Sequence, residues 1–400
     1  MKSKQYSKSW YNLPAGRQVS LVFSTILLQL IVFFLPSQLG LHFWPEFSRA
    51  AGIKIDYLSP TLYFTDLLII AFIALNLKII LIWLKNYKFE VVFLLVYVFL
   101  NSFYGVSPSN SFFWWGRVLL YLLFILTLRL RKVTWLHIKN PLIISTLLVV
   151  SLEMFQLFHQ SSFGGLFYWL GERAFSSSTS GLARLSLGGL DFVRPPSVFS
   201  HPNSLAGYLL VVYYLLHLRR SALWCRLFVF LGLLFTFSKG ALLAFLLIFT
   251  FPFNSYLILA FFLTFSLLQP FLPNLLSSLQ FVSDRLFLLV PSRKIIFLSP
   301  LLGVGLGNFV PSLIRFLPGS FLLPEKLQPV HNLPVLLVSE IGFVGLALLI
   351  LLIRKHYRKI LNPQFLTLVV IIIITGSFDH YWWTLPQNKL ILLLAGAILL

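Results

Sequence analysis

Residues 331–353 read HNLPVLLVSEIGFVGLALLILLI, and this stretch decides the class of the fold. After its His-Asn head it stays apolar for about 20 residues, the length that a hydrocarbon core of ~30 Å demands of a helix. Similar runs recur along the chain, near residues 19–36, 61–84, 89–104, 112–128, 141–158, 204–218, 222–237, 240–252, 256–269, 363–378 and 387–400. The runs are continuous, whereas a transmembrane β-barrel would alternate apolar and polar residues. Composition agrees: 58% of the 400 residues are hydrophobic and 10% are charged, where a soluble domain is about one quarter charged. The sequence therefore predicts an all-α, polytopic helical membrane protein. It forms one integral membrane domain over residues 1–400, with about twelve transmembrane helices. The first run is expected to stay as a helix, because no small-residue cleavage site follows it.

The net charge of +20 comes from 31 basic and 11 acidic residues. No basic face alternates with exposed aromatics, which argues against a nucleic-acid partner. Lys and Arg accumulate in cytoplasmic loops of membrane proteins. With the N-terminus inside, seventeen of the 31 basic residues fall in inner loops, so both termini are expected in the cytoplasm. The single cysteine, Cys225, excludes an intrachain disulfide and a cysteine metal cluster.

Two long loops, 159–203 and 270–330, then lie outside the membrane, and both are basic. The first ends in Arg194, two prolines and His201-Pro202-Asn203, where Pro202 and Asn203 suit a helix start. The functional reading of this loop is a cationic pocket in which Arg offers a planar fork to phosphate oxygens, and Ser238-Lys239-Gly240, which interrupts an apolar stretch, is a tight outer turn or a second cation facing that pocket. The second loop carries Arg285, Arg293, Lys294, Arg315 and Lys326. It also carries Gly303-Val-Gly305-Leu-Gly307-Asn308, which lacks the spacing of a dinucleotide fingerprint; its glycines serve a tight turn or a close approach to a ligand.

His331-Asn332 stands where the chain re-enters an apolar run. A histidine there is either interfacial or a base that takes a proton from an attacking hydroxyl. Asp66, Glu153, Glu340 and Asp379 lie in or beside apolar runs, and such carboxylates are functional candidates. The segment DHYWWTLPQN (379–388) reads as an interfacial aromatic belt or a surface for stacking sugar rings. No paired carboxylates, H-x-x-x-H or Asp-x-Asp appear, so the sequence predicts no metal and no cofactor.

Four motifs in order resemble the O-antigen ligase and O-antigen polymerase family of bacterial envelope glycosyltransferases. They are RPPSVFSHPNSLAGYL (194–209), FSKGALLA (237–244), DRLFLL (284–289) with SPLLGVGLGNF (299–309), and HNLPVLLVSEIGFVGL (331–346). The resemblance covers residues from about 150 to 400. It implies a GT-C-like membrane architecture and transfer of an undecaprenyl-diphosphate-linked glycan onto an acceptor hydroxyl outside the cytoplasmic membrane, without metal. It assigns the diphosphate to Arg194 and Arg285, with Lys239 and Arg293 nearby, and the base to His331. His201, Asn203, Asn332, Glu340, Gly303 and Gly305 support them. Lys239 departs from the family's arginine, so the planar donor fork is lost there. Ser197-Val198-Phe199 departs from its small-residue, Thr and Phe run.

The chemistry reads the same way. A diphosphate is a good leaving group, and cations that stabilise its developing charge make a metal unnecessary. One base then permits direct displacement with inversion. The expected partners are a lipid-linked glycan donor, membrane lipid, and a glycan, lipid or protein hydroxyl as acceptor. Polymerase is favoured over ligase, since nothing demands one fixed acceptor. The rival from another class is a flippase for lipid-linked oligosaccharide, which would carry its cations in a central cavity rather than in outer loops.

Overall fold

The computed structural model describes residues 15–250, 255–272, 280–317, 323–324, 326–355 and 362–400. The chain is mostly helical, with 70% of it in helices and only a few short strands. The helices are α1 (Ala15–Phe34), α2 (Phe64–Leu75), α3 (Leu77–Asn86), α4 (Lys88–Phe103), α5 (Pro108–Leu130), α6 (Trp135–His159) and α7 (Pro202–Leu218). They continue with α8 (Leu223–Phe235), α9 (Lys239–Thr250), α10 (Ser255–Leu268), α11 (Gln280–Leu298), α12 (Leu333–Lys355), α13 (Pro363–Gly376) and α14 (Pro386–Leu399). Each apolar run of the sequence is helical. Among the described residues, α5, α6 and the Leu333–Leu351 part of α12 are long and apolar enough to cross a membrane. The pair α2 and α3 joins them if counted as one bent span, and six further apolar helices are shorter.

The run at 61–84 is not one straight helix, because it bends by 73° between α2 and α3. Asn76 makes the break. Its side chain donates to Phe72 O (2.7 Å) and Ser24 Oγ (3.1 Å) and accepts from Arg131 Nε. A side chain that bonds the backbone in this way competes with helix propagation. A second departure is α11, which fills part of what the sequence reads as the long loop 270–330. Its internal Pro291 and its charges obscure the helical pattern.

Helix α7 is the hub: it packs against α8, α9, α13 and α14, and Ala206, Tyr208, Leu209, Leu210, Val211 and Val212 are fully buried. Small residues permit close approach between apolar helices. A Cβ on Gly207 would lie 2.6 Å from Tyr381 Oη, and one on Gly232 of α8 would lie 2.8 Å from Val150 of α6. Between helices, short antiparallel strand pairs form. Gly40–His42 (β1) pairs with Thr61–Tyr63 (β4), Arg49–Ala50 (β2) with Ile53–Lys54 (β3), and Arg184–Leu187 (β5) with Leu190–Val193 (β6).

Helix α12 is broken at Gly342 (φ 61°, ψ −176°). The break frees carbonyls that the helix would otherwise use, and the glycine loop 303–308 takes them. Val304 N donates to Ser339 O (2.9 Å) and Gly305 N to Glu340 O (3.2 Å), while Phe343 N and Val344 N donate to Pro300 O and Leu301 O. Asn101 Nδ2 and Tyr97 Oη complete the set on Glu340 O (3.0 Å) and Ile341 O (2.7 Å). A Cβ on Gly303 would lie 2.4 Å from Glu340 O, so only glycine fits. The sequence offers these glycines a tight turn or a close approach to a ligand; what Gly303 approaches closely here is the backbone of α12.

Candidate functional site: a cationic cavity at the heads of α7, α9 and α12

Six of the residues singled out in the sequence come together around one cavity of about 620 Å³. Arg194, Asn203, Lys239 and His331 line it, with Asp379, Ser377, Thr375 and Gln269, and His201 caps α7 beside them. Apolar side chains share the lining: Phe237, Leu243, Phe265, Leu289 and Phe378.

The local sequence explains each placement. Pro195 and Pro196 deny the chain a helix after Arg194, and the His201 ring caps α7 by accepting from Asn203 N at 3.1 Å. Arg194 reaches back over this turn. Its Nη2 donates to Asn203 Oδ1 (2.8 Å) and its Nε to Thr236 O (2.9 Å), which fixes the guanidinium plane at the cavity wall. Asn203 passes the order on, with Nδ2 donating to Asp379 Oδ2 at 2.9 Å. Lys239 is the first residue of α9, and its exposed side chain lines the cavity where the unpaired N–H groups of that helix start.

Asp379 is the centre of the polar lining. Oδ1 accepts from His380 N at 2.8 Å. The ring nitrogens of His331 and His380 and a carboxylate oxygen of Asp379 lie within 4.8 Å of one another, and the two imidazole rings are 4.9 Å apart. Burial pushes the Asp379 carboxyl upward. The positive charge that His331, His380 and His201 can carry, with the Asn203 amide, outweighs burial and holds the group well below the usual carboxylate range. Tyr57, from the segment between α1 and α2, packs edge-on against His380 at 5.4 Å. Burial first, and then the Asp379 charge, push its phenol up to about 12.

Other expected residues lie elsewhere. Asn332 is buried as a brace: it donates to Ser266 O (2.9 Å) and Gln269 Oε1 (2.8 Å) and accepts from Val335 N. Glu340 accepts from Trp383 Nε1 (2.9 Å) and lines a separate, smaller cavity with Lys389 and Trp114. Gly303 and Gly305 serve the break in α12. Arg293 sits 5.9 Å from the Phe271 ring and is not in the cavity lining. Arg285 falls in α11, and its side chain lies outside the described residues. Ser197 turns inward, where Oγ donates to Val149 O at 2.8 Å. Asp66 pairs with Arg117 at 2.8 Å. Glu153 is buried, and among the described residues neither of its carboxyl oxygens has a hydrogen-bond partner.

Arg184 was missed in the sequence: in β5, it lines the cavity and donates to Thr179 O at 3.2 Å. Asp379 is a candidate carboxylate there, but Asp379-His380 reads as part of an aromatic belt. The only signal that could have joined it to His331 is that both fall on the outer side when the apolar runs are counted. The linear spacing shows no group of metal-ligand type, but the fold assembles one from His331, Asp379 and His380. No known protein family, curated protein or solved structure matches the chain.

Proposed function

We propose that the chain is an integral membrane glycosyltransferase of the O-antigen ligase and polymerase type. It spans the cytoplasmic membrane about twelve times, with both termini inside. It transfers a polyprenyl-diphosphate-linked glycan onto an acceptor hydroxyl on the outer side, with an acceptor chain favoured over one fixed lipid or protein anchor. The observation that carries this reading is one cavity whose lining combines Arg194, Lys239 and His331 with the apolar side chains of Phe237, Leu243, Phe265, Leu289 and Phe378. A lipid diphosphate needs both kinds of lining.

The chemistry follows from the geometry. Arg194 presents a fixed planar fork of the kind that matches phosphate oxygens. Lys239 and the N-terminal N–H groups of α9 add positive charge from the same direction. His331 accepts the proton of the acceptor hydroxyl as the oxygen attacks the anomeric carbon. The bond from that carbon to the diphosphate oxygen breaks, and its electron pair leaves with the diphosphate, whose added charge the cations stabilise. The Asp379 carboxylate faces the imidazolium that forms and stabilises it, as a buried anion beside an acid–base histidine does. A single displacement of this kind inverts the anomeric centre and needs no metal.

The test is transfer by purified protein in liposomes containing a polyprenyl-diphosphate oligosaccharide, with EDTA present. Lengthened or transferred glycan of inverted configuration supports the reading. Retained configuration removes the single displacement, and donor crossing between leaflets without any product makes the chain a flippase.

A further inference from the structure

We infer that the His331–Asp379–His380 group is a binding site for a transition-metal ion of zinc type, and that the ion inhibits the chain by occupying the base. The metal site stands on its own geometry; its inhibitory effect rests on the function proposed above. Two imidazoles and one carboxylate are a standard ligand set for Zn²⁺, which binds His nitrogen and carboxylate oxygen at roughly 2.0–2.2 Å. Their ligand atoms already lie within 4.8 Å of one another, so small side-chain rotations bring all three onto one ion.

What separates this group from a chance cluster is the shell behind it. Metal ligands work when outer partners fix their orientation. Asn203 Nδ2 holds Asp379 Oδ2 at 2.9 Å, and Arg194 Nη2 holds Asn203 at 2.8 Å. Thr384 Oγ1 sits 2.9 Å from His380 Nδ1. Each carboxylate oxygen has a second lone pair, so the hydrogen bonds to Asp379 still allow it to coordinate. His331 and Asp379 line the 620 Å³ cavity, which gives an ion a path and room for a water as fourth ligand. Coordination uses the imidazole lone pair that would accept the hydroxyl proton, so a bound ion stops transfer.

The probe is Zn²⁺ alone, added to full-length protein stripped with EDTA and reconstituted in nanodiscs. Calorimetry is expected to show one tight site, and X-ray absorption a first shell of nitrogen and oxygen with two imidazoles. His380→Ala and Asp379→Asn should each weaken binding at least about tenfold, whereas His159→Ala, at an exposed histidine, should not. No tight zinc, a shell with fewer than two imidazoles, or equal binding by all the variants overturns the site; the absorption spectrum needs no variant, so a misfolded mutant does not leave the matter open. Zinc should also lower wild-type transfer at least tenfold, in proportion to site occupancy, with EDTA restoring it; undiminished transfer at full occupancy overturns the inhibition. If transfer is absent even without zinc, the glycosyltransferase reading fails while the binding result stands. If transfer proceeds and no zinc binds, only the present inference fails.

Discussion

The head of α12 and its middle are both dense in residues that attract attention in the sequence, and the fold uses them in opposite ways. At the head, His331 meets Asp379, His380 and a cavity with Arg194 and Lys239 on its wall. In the middle, Gly342, Gly303 and Gly305 lock two pieces of backbone together, and Glu340 is held by Trp383 and Phe309 N. The head presents charge to open space. The middle turns its backbone groups to internal bonds, as backbone removed from water must. The motif rich in Gly and Glu is thus taken up largely in holding the chain together, while a His and a distant Asp meet beside the cavity.

Substitutions can break that contrast. The largest effect is expected for Asp379→Asn, which removes the anion facing His331 and should lower turnover by about 10²-fold or more, the scale of a general-base contribution. The amide oxygen can still accept from one of its two donors, Asn203 Nδ2 or His380 N, while its NH2 group faces the other, so part of the loss can come through stability and turnover is to be measured on the folded fraction. A variant with wild-type turnover would detach Asp379 from the reaction.

Gly342→Ala acts in the other region. A Cβ there would lie 2.4 Å from Gly303 N and from Leu301 O, at a φ of 61° that disfavours a side chain. The strain and the clash should each be worth about 1–3 kcal/mol. The readout is a lower unfolding midpoint in detergent, with residual folded protein keeping its KM for donor. Loss of donor binding without loss of stability would move the glycine loop into the site.

Acid should act through the histidines rather than through Asp379. A carboxyl held below its ordinary value in the folded state stays charged as pH falls through the usual carboxylate range. Its contribution is lost only on passing through the lowered value. Any acid limb of activity should therefore lie above the usual carboxylate range, and Asp379→Asn, which removes the anion facing the imidazoles, should shift that limb to lower pH. A limb that ignores this substitution would separate the two groups.

The smallest effects sharpen the cation assignment. Arg194→Lys keeps the charge and loses the fork, so the donor KM should rise by about tenfold, one to two hydrogen bonds to a charged group. Arg293→Ala, outside the cavity lining, should change it less than twofold. Equal effects would mean that the cavity is not the diphosphate site.

What the sequence made legible is what depends on local pattern. Apolar run length marked every helix from α1 to α14 except α11, and the caps at Pro202 and Asn203 marked the start of α7. The break at Asn76 was not legible, because it depends on Ser24 and Arg131, which the chain brings there from elsewhere. Helix α11 was hidden by Pro291 and its charges. In the site, Arg194, Asn203, Lys239 and His331 stood out by type and position, but their union with Asp379 is a product of packing. Asn203, which bonds both Arg194 and Asp379, is the link that no spacing rule expresses. The same rules could not tell Glu340, an internal brace, from a reacting carboxylate.

The proposed function stands or falls with His331 as the base of a glycosyl transfer. The most direct measurement is single-turnover transfer from a polyprenyl-diphosphate oligosaccharide in liposomes, comparing wild type with His331→Ala while donor binding is measured on the same samples. The account predicts product from wild type only, with donor affinity within a few-fold of wild type in the variant. Undiminished product from His331→Ala would contradict it.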